Sequence, residues 1–186
     1  VDSFGGPFLF DDLPSIPENT TIHHLWPVGP VLHPPPAAGV GGRPVLNLTF
    51  ALNYALSGLA VWSYHAGNLL IHAAAALALF GVVRRTLRRC DPAGSETDAA
   101  GLALAAALLW ALHPAQTATV TYLSQRAEGL MGLFYLSTLY CFIRGAESAR
   151  PRGGPWFPLA ALACLLGVAT KAVMVTAPFV VLLYDP

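Results

Sequence analysis

The sequence predicts an all-α, multi-pass transmembrane helical bundle with a long irregular first loop. Of its 186 residues, 55% are hydrophobic and only 11% are charged, against about 25% charged in an ordinary soluble domain. The charges are also segregated, because none lies in 44–83, 99–125, 129–143, 153–170 or 172–184. Ten basic and ten acidic residues leave no formal net charge, which argues against nucleic-acid binding.

Residues 1–60 are predicted to form an outer segment. Prolines and glycines recur through 1–42 and exclude a long helix, so an irregular loop outside the membrane is expected. Apolar residues then recur at helical spacing over 45–59 but are interrupted by polar ones, which predicts a helix at the membrane interface. Asn19 and Asn47 each begin an Asn-x-Thr glycosylation pattern, the second expected to lie too close to the membrane for modification.

Residues 61–186 are predicted to be a transmembrane region of about five spans, the last one cut off. The clearest span is 64–83, because twenty uncharged helical residues cover about 30 Å, the thickness of the hydrocarbon core. Arginines and a polar turn follow, and 99–112 is expected to return as the second arm of an antiparallel hairpin. Polar residues over 115–125 separate that helix from the next apolar runs, which are 127–143, 156–170 and 172–184.

Several of these runs have only 13 to 18 residues, so a soluble bundle with buried core helices is the alternative. A soluble bundle needs a polar outer face on every helix. The runs 99–112 and 129–143 carry almost no polar face, which favours insertion in a membrane.

The basic residues predict the orientation. Seven arginines, at positions 84, 85, 88, 89, 144, 150 and 152, fall in two loops, which the positive-inside rule assigns to the cytoplasm. The opposite side carries Arg43, Arg126 and Lys171, each at an end of an apolar helix. Cations on that side run against the rule and suggest an anionic partner, although anchoring at headgroup level is the alternative.

Adjacent carboxylates on the outer loop are the first candidates for chemistry. Asp11 and Asp12 lie among apolar residues, a setting that suits a general base. The alternative is an Asp turn or a helix cap just before Pro14.

A polar stripe follows the strongest span, with His65, Asn68 and His72 at i, i+3 and i+7. The stripe is expected to face other helices; it would bind a ligand headgroup or join helices, and the second role is favoured except at His65. His65 and His72 show no metal-ligand spacing with His113, so no metal is expected. The cysteines, Cys90, Cys141 and Cys164, are interpreted as packing residues.

Arg126 is predicted to lie in the first turn of a helix, with Ser124 as a possible cap. A cation at a helix N-terminus is unfavourable, so a phosphate or a carboxylate is expected near it. Glu128 is the internal candidate for that carboxylate.

Five segments carry a family resemblance: FLFDDLPSIPEN (8–19), GRPVLNLTFALNYAL (42–56), YHAGNLLIHAAAALALF (64–80), LLWALHPAQTATVTYLSQRAEGLMGLFYL (108–136) and TKAVMVTAPFVVLLYD (170–185). In this order they resemble the N-terminal membrane part of the transmembrane-and-tetratricopeptide-repeat O-mannosyltransferase family, within the GT-C glycosyltransferases. The resemblance covers nearly the whole chain. It implies an incomplete GT-C-like bundle in a bacterial inner membrane or an ER-like membrane.

The resemblance also implies an activity: inverting transfer of a sugar, mannose by the family's name, from a polyprenyl-phosphate donor to a protein Ser or Thr hydroxyl. The site would face the non-cytoplasmic side, and no cofactor besides the lipid-linked donor is expected. By resemblance, Asp11 and Asp12 supply the general base, and Arg43, Arg126 and Lys171 meet the donor phosphate. The possible supporting residues are His65, Asn68, His113, Gln116 and Glu128.

Two departures favour a different function. Relatives commonly have Glu where this chain has Ala118, and Glu or Pro where it has Ala172. The alternative is therefore a non-catalytic membrane scaffold or degenerate relative that binds the donor or a partner protein. A transporter is less favoured, since only Pro178 suggests a broken span. Because the chain begins with Val, shows no signal peptide and resembles only the front of the family, either a missing upstream segment or a fragment is expected.

Overall fold

A computed structural model describes residues 3–184, apart from the side chains of Ser3 and Arg152. Asp185, in the last resembling segment, and the Arg152 side chain, one of the seven basic groups, therefore lie outside the described residues. Within this range the chain is helical and contains no strand, which confirms the all-α prediction. Its α-helices are α1 (Asp12–Ser15), α2 (Val28–Leu32), α3 (Pro44–Ser57), α4 (Val61–Cys90), α5 (Glu96–Ala111), α6 (Thr117–Thr121), α7 (Arg126–Ala146), α8 (Trp156–Val168) and α9 (Ala177–Tyr184).

Two helical stretches are long and apolar enough to cross a membrane, namely α4 and Leu123–Ala146. A third is possible if α5 and Pro114–Thr121, bent by 54° at the break between them, count as one span. The remaining apolar helices, Trp156–Val168 and Ala172–Tyr184, are shorter. All five predicted apolar segments are thus helical, and five complete crossings stay a prediction.

Helices α4 and α5 form the antiparallel hairpin that the sequence predicts. Near one end the His72 ring lies 3.0 Å from the Ala111 carbonyl oxygen. At the other end Arg84 donates to Glu96, with 2.7 Å between Nε and Oε1. Helix α5 begins where the Ser95 side chain accepts a hydrogen bond from the Asp98 backbone N–H. Residues later in α4 therefore pair with residues earlier in α5.

Residues 3–43 are more ordered than their composition indicates. Proline keeps each helix short, as expected, and several of the apolar residues between the prolines are buried. Ile16, Ile22 and Val31 pack in one core with Phe50 of α3 and Tyr64 of α4. The segment is therefore irregular between its short helices, as predicted, and in addition it packs as a layer over α3.

Two asparagines join this layer to α3. The Asn19 amide donates to the Asn47 side-chain oxygen at 2.8 Å, and the Asn47 amide donates to the Val31 carbonyl and the Thr21 hydroxyl at 2.8 and 2.9 Å. Both side chains are buried, Asn19 with 2% and Asn47 with 0% of its surface exposed. The glycosylation pattern at these asparagines therefore marks an internal hydrogen-bond network in this fold.

The two arginine-rich loops meet at the far end of α4. Arg85 pairs with Glu147, which follows α7, and the Arg144 guanidinium lies 4.2 Å from the centre of the Trp156 ring. We call this part of the molecule the arginine end, defined by Arg84, Arg85, Arg88, Arg89, Arg144 and Arg150. The two loops thus share one end of the bundle, and the side of the membrane that they face stays a prediction.

Candidate functional site

Four segments meet at the opposite end of the bundle. The Asp12 carboxylate accepts a hydrogen bond of 2.8 Å from the Ser124 backbone N–H, which brings α1 to the start of α7. Val45 donates its N–H to the Ala169 carbonyl at 3.4 Å, which brings the start of α3 to the turn after α8. We call this the carboxylate end, formed by α1, the start of α3, the start of α7 and the turn 169–171.

The two adjacent carboxylates have different surroundings. Asp12 is only 3% exposed, and its second oxygen accepts a 3.3 Å hydrogen bond from the Leu9 N–H. Asp11 is exposed, and its carboxylate has no hydrogen bond or ion pair among the described residues. The Asp11 backbone N–H donates to the Tyr122 hydroxyl at 3.2 Å. Asp12 is therefore held in place by backbone N–H groups, whereas the Asp11 carboxylate is exposed.

The residue before this pair has an unusual backbone. Phe10 has a φ of 46°, in the left-handed region that few non-glycine residues adopt, and its ring is largely exposed. Strain of this kind is found most often at binding and catalytic sites. The chain turns at Phe10, immediately before Asp11.

Arg43 and Lys171 lie on neighbouring segments of the carboxylate end. Arg43 precedes Pro44 at the start of α3 and is half-buried, and no described residue pairs with its guanidinium. Lys171 pairs with Glu128 in the first turn of α7, and both side chains remain partly exposed. Glu128 therefore balances Lys171, so the expectation that it compensates Arg126 is wrong.

Arg126 lies in the first turn of α7, as predicted, but its side chain points into the protein. It is 1% exposed and donates to Asn68, Asn53 and the Tyr64 carbonyl at 2.7, 2.6 and 2.8 Å. Its guanidinium also stacks over Phe50, at 4.7 Å from the ring centre. A phosphate at the surface cannot reach it, so the expected direct contact with the donor is corrected to a structural role.

A glycine on α4 leaves the space that the Arg126 side chain occupies. Gly67 faces the guanidinium, and a Cβ on Gly67 would lie 2.8 Å from the Arg126 Nη2 atom. The acceptors come from α3 and α4, so the arginine joins three helices. Ser124 is not the cap of α7: Gln125 occupies the cap position without a side-chain bond, and the Ser124 N–H binds Asp12.

The polar stripe of α4 faces other helices, as predicted. His65 is buried with its ring centre 5.7 Å from that of Phe4, and the Asn68 oxygen binds Arg126. His72 stacks on Trp110 with 4.9 Å between ring centres. The stripe therefore packs against other parts of the protein, and a ligand contact of His65 stays a prediction.

His113 and Gln116 lie at the polar mouth of an apolar groove. The His113 ring is exposed, and its Nδ1 atom accepts a 3.1 Å hydrogen bond from the Ala115 N–H. Gln116 lines both the groove, about 770 Å³ between α4, α5 and α6, and a cavity of about 210 Å³ that reaches Glu128. In residues 3–184 no group of three or more His, Cys, Asp or Glu side chains is arranged to hold a metal ion.

Three residues of this site were missed by sequence reasoning. Asn53 interrupts the apolar pattern of α3, and Gly67 interrupts that of α4, so both carried a signal as unexplained exceptions to helical patterning. Tyr122 gave no local signal, because its contact with Asp11 joins residues 111 positions apart. Only the tertiary structure brings these groups together.

Curated proteins resemble this chain over most of its length. Protein O-mannosyl-transferase TMTC3 of Mus musculus is 31% identical over 172 residues, which cover 88% of this chain and 17% of the relative. Protein O-mannosyl-transferase TMTC2 of Homo sapiens is 35% identical over 147 residues, 77% of this chain and 16% of the relative. The chain thus spans less than a fifth of the length of each. No protein-family model and no solved structure matches it.

Proposed function

Since this chain belongs to the TMTC family of protein O-mannosyl-transferases, we propose that it forms the donor-facing part of a membrane mannosyltransferase. The donor is a polyprenyl-phosphate sugar, and the acceptor is a Ser or Thr hydroxyl of a protein. The chain would cross the membrane several times, with the carboxylate end on the non-cytoplasmic side. The observation that carries the proposal is the convergence of Asp11, Arg43 and Lys171 at one end of the bundle.

The proposed reaction is a single displacement at the anomeric carbon of the sugar. The acceptor hydroxyl oxygen forms the new bond on one face, while the bond to the phosphate oxygen breaks on the other, which inverts the configuration. The acceptor's proton passes to the Asp11 carboxylate, and the bonding electron pair leaves with the phosphate. Asp11 suits this role because it is exposed and uncommitted, whereas Asp12 holds its loop against Ser124.

The cations divide between two roles in this proposal. Arg43 would bind the leaving phosphate, because no described carboxylate neutralises the Arg43 guanidinium. A guanidinium can donate two parallel hydrogen bonds to two oxygens of one phosphate. Lys171 would join it by exchanging Glu128 for the phosphate, which the exposure of this pair permits. Arg126 would position α3, α4 and α7 from the interior.

The test is mannose transfer from a polyprenyl-phosphate mannose to an acceptor peptide, measured in membranes that carry the protein. We expect Asp11→Asn to lower transfer by about 10²–10⁴-fold, the range typical of a general base, with unchanged thermal unfolding. Asp12→Asn should lower transfer and the unfolding temperature together, because it weakens the hydrogen bond to Ser124.

Glu18→Gln is the matched control, since Glu18 is an exposed carboxylate on the same outer segment, and transfer should stay unchanged. Full transfer by Asp11→Asn would remove the catalytic assignment.

A non-catalytic donor-binding role is the second candidate, and Ala118 and Ala172 favour it. Both are exposed near the carboxylate end, at positions where the resemblance places acidic residues. In that case the protein would retain a polyprenyl-phosphate sugar without turnover. A gain of transfer in Ala118→Glu would then identify the missing acidic group.

A further inference from the structure

The arginine end contains a cavity that the proposed reaction does not use. It has a volume of about 620 Å³ and lies between α4, α5 and α7. Its charged lining consists of Arg84, Arg85 and Arg88 with Glu96 and Glu147. The remaining lining residues are Leu77, Ala78, Phe80, Gly81 and Tyr140.

The charges of this cavity favour an anion. Three arginines face two carboxylates, because Arg84 and Arg88 share Glu96 while Arg85 pairs with Glu147. The side chains of these pairs are between 28% and 52% exposed, and ion pairs at such exposure contribute little to stability. A phosphate can therefore replace a carboxylate at low cost and satisfy the excess guanidinium.

The cavity is also continuous with an apolar surface. Leu77 and Phe80 line both the cavity and the groove between α4 and α5. The groove continues along α4 over Ala73 and Ala76, whose small side chains leave a trough, with Leu104 on the α5 side. A ligand that fills both spaces needs an anionic head and a hydrocarbon chain.

The position of the cavity fits a membrane lipid. The uncharged part of α4 ends at Val83, and Arg84 follows at once, so these guanidinium groups come where the hydrocarbon layer gives way to headgroups. Counted along α4 at 1.5 Å per residue, the arginines lie about 30 Å from His65 at the carboxylate end. The position proposed for the phosphate is thus separate from the donor site, while the groove that takes the acyl chain extends towards His113 and Gln116.

We propose that the arginine end binds an anionic phospholipid, with its phosphate among Arg84, Arg85 and Arg88 and an acyl chain in the groove between α4 and α5. The head of the lipid lies in the cavity between α4, α5 and α7, and its acyl chain covers apolar residues of the α4–α5 hairpin. It is a structural lipid, distinct from the sugar donor.

The test is lipid retention by the purified protein in detergent, measured by native mass spectrometry with phosphatidylglycerol and phosphatidylcholine of identical chains. We expect the wild type to retain phosphatidylglycerol at least five-fold better. The double variant Arg84→Gln/Arg88→Gln should reduce this preference to near one. Arg89→Gln removes the same kind of charge one residue away from the lining and should leave the preference intact.

A second variant keeps the test decisive if the double variant does not fold. Ala76→Phe fills the groove without changing any charge, and it should lower retention of phosphatidylglycerol at least three-fold. Equal retention of the two lipids by the wild type, an equal loss in Arg89→Gln and the double variant, or unchanged retention in Ala76→Phe would each overturn the proposal. Asp11→Asn should retain the lipid normally, so this readout is independent of sugar transfer.

Discussion

Arg126 has the largest side chain that is fully buried in the described part of the chain. Burying a cation is costly unless hydrogen bonds replace its hydration. Here neutral acceptors on α3 and α4 do so, together with the rings of Phe50 and Tyr64. The planar guanidinium suits this arrangement because it donates in several directions at once.

Replacing Arg126 with lysine should therefore destabilise the protein although the charge is kept. The ammonium group has a different geometry and cannot reach Asn53, Asn68 and Tyr64 together. We expect a loss of about 2–4 kcal/mol, measured by thermal unfolding in detergent. The exposed Arg150→Lys is the control and should change little. An unchanged unfolding temperature in Arg126→Lys would contradict the role of this residue as a joint between helices.

The buried asparagines lead to a second prediction at this scale. Expressed in a host that glycosylates proteins, the chain should carry no glycan at Asn19 or Asn47, which mass spectrometry of its peptides will test. Asn47→Ala should cost about 1–3 kcal/mol, because it removes the donor to the Val31 carbonyl and one of the two acceptors of the Asn19 amide, which keeps only Ser15. Asn53→Ala is a useful comparison, since it removes an acceptor of Arg126 instead. A glycan on Asn47 would show that the outer layer does not pack as described.

Helix α4 shows how one element serves both ends of the molecule. Its first turns hold Tyr64 and Asn68 against Arg126, and its last turns carry the arginines of the opposite end. One glycine makes the first contact possible, because Gly67 leaves room for the Arg126 guanidinium. The contact between α4 and Arg126 therefore requires a residue without a Cβ atom at position 67.

Gly67→Ala should therefore destabilise the protein, although alanine favours a helix more than glycine does. The new Cβ would lie 2.8 Å from the guanidinium and push it off its acceptors, at a cost of about 1–3 kcal/mol. Gly101→Ala in α5 is the matched control, because a Cβ there meets nothing within 4 Å, and it should be neutral or slightly stabilising. Thermal unfolding of both variants decides: equal effects would argue against the close contact at Gly67.

At the scale of the whole molecule, the candidate catalytic residues and the clustered arginines lie at opposite ends of the bundle. The carboxylate end holds the candidate catalytic groups, and the arginine end joins the two basic loops. The positive-inside rule predicts that the arginine end faces the cytoplasm.

Cysteine labelling will test this orientation. Cys90 is exposed at the arginine end, so in a Cys141→Ala/Cys164→Ala background an impermeant maleimide should label it only after cells are permeabilised. Glu18→Cys in the variant that lacks all three cysteines should be labelled in intact cells, or in sealed vesicles with the lumenal face outward. Labelling of both positions from the same side would contradict a membrane-spanning arrangement.

Much of this architecture follows from the sequence. Uncharged runs and clustered arginines predict the helical bundle, the α4–α5 hairpin and the stripe that faces other helices, because these depend on local composition and period. The tertiary structure alone decided which groups meet: Lys171 with Glu128, Arg126 with asparagines, and Asp12 with the Ser124 backbone. These contacts join residues that lie 43 to 112 positions apart in the sequence. Which partner each side chain meets depends on how the helices pack, and local sequence patterns do not encode that packing.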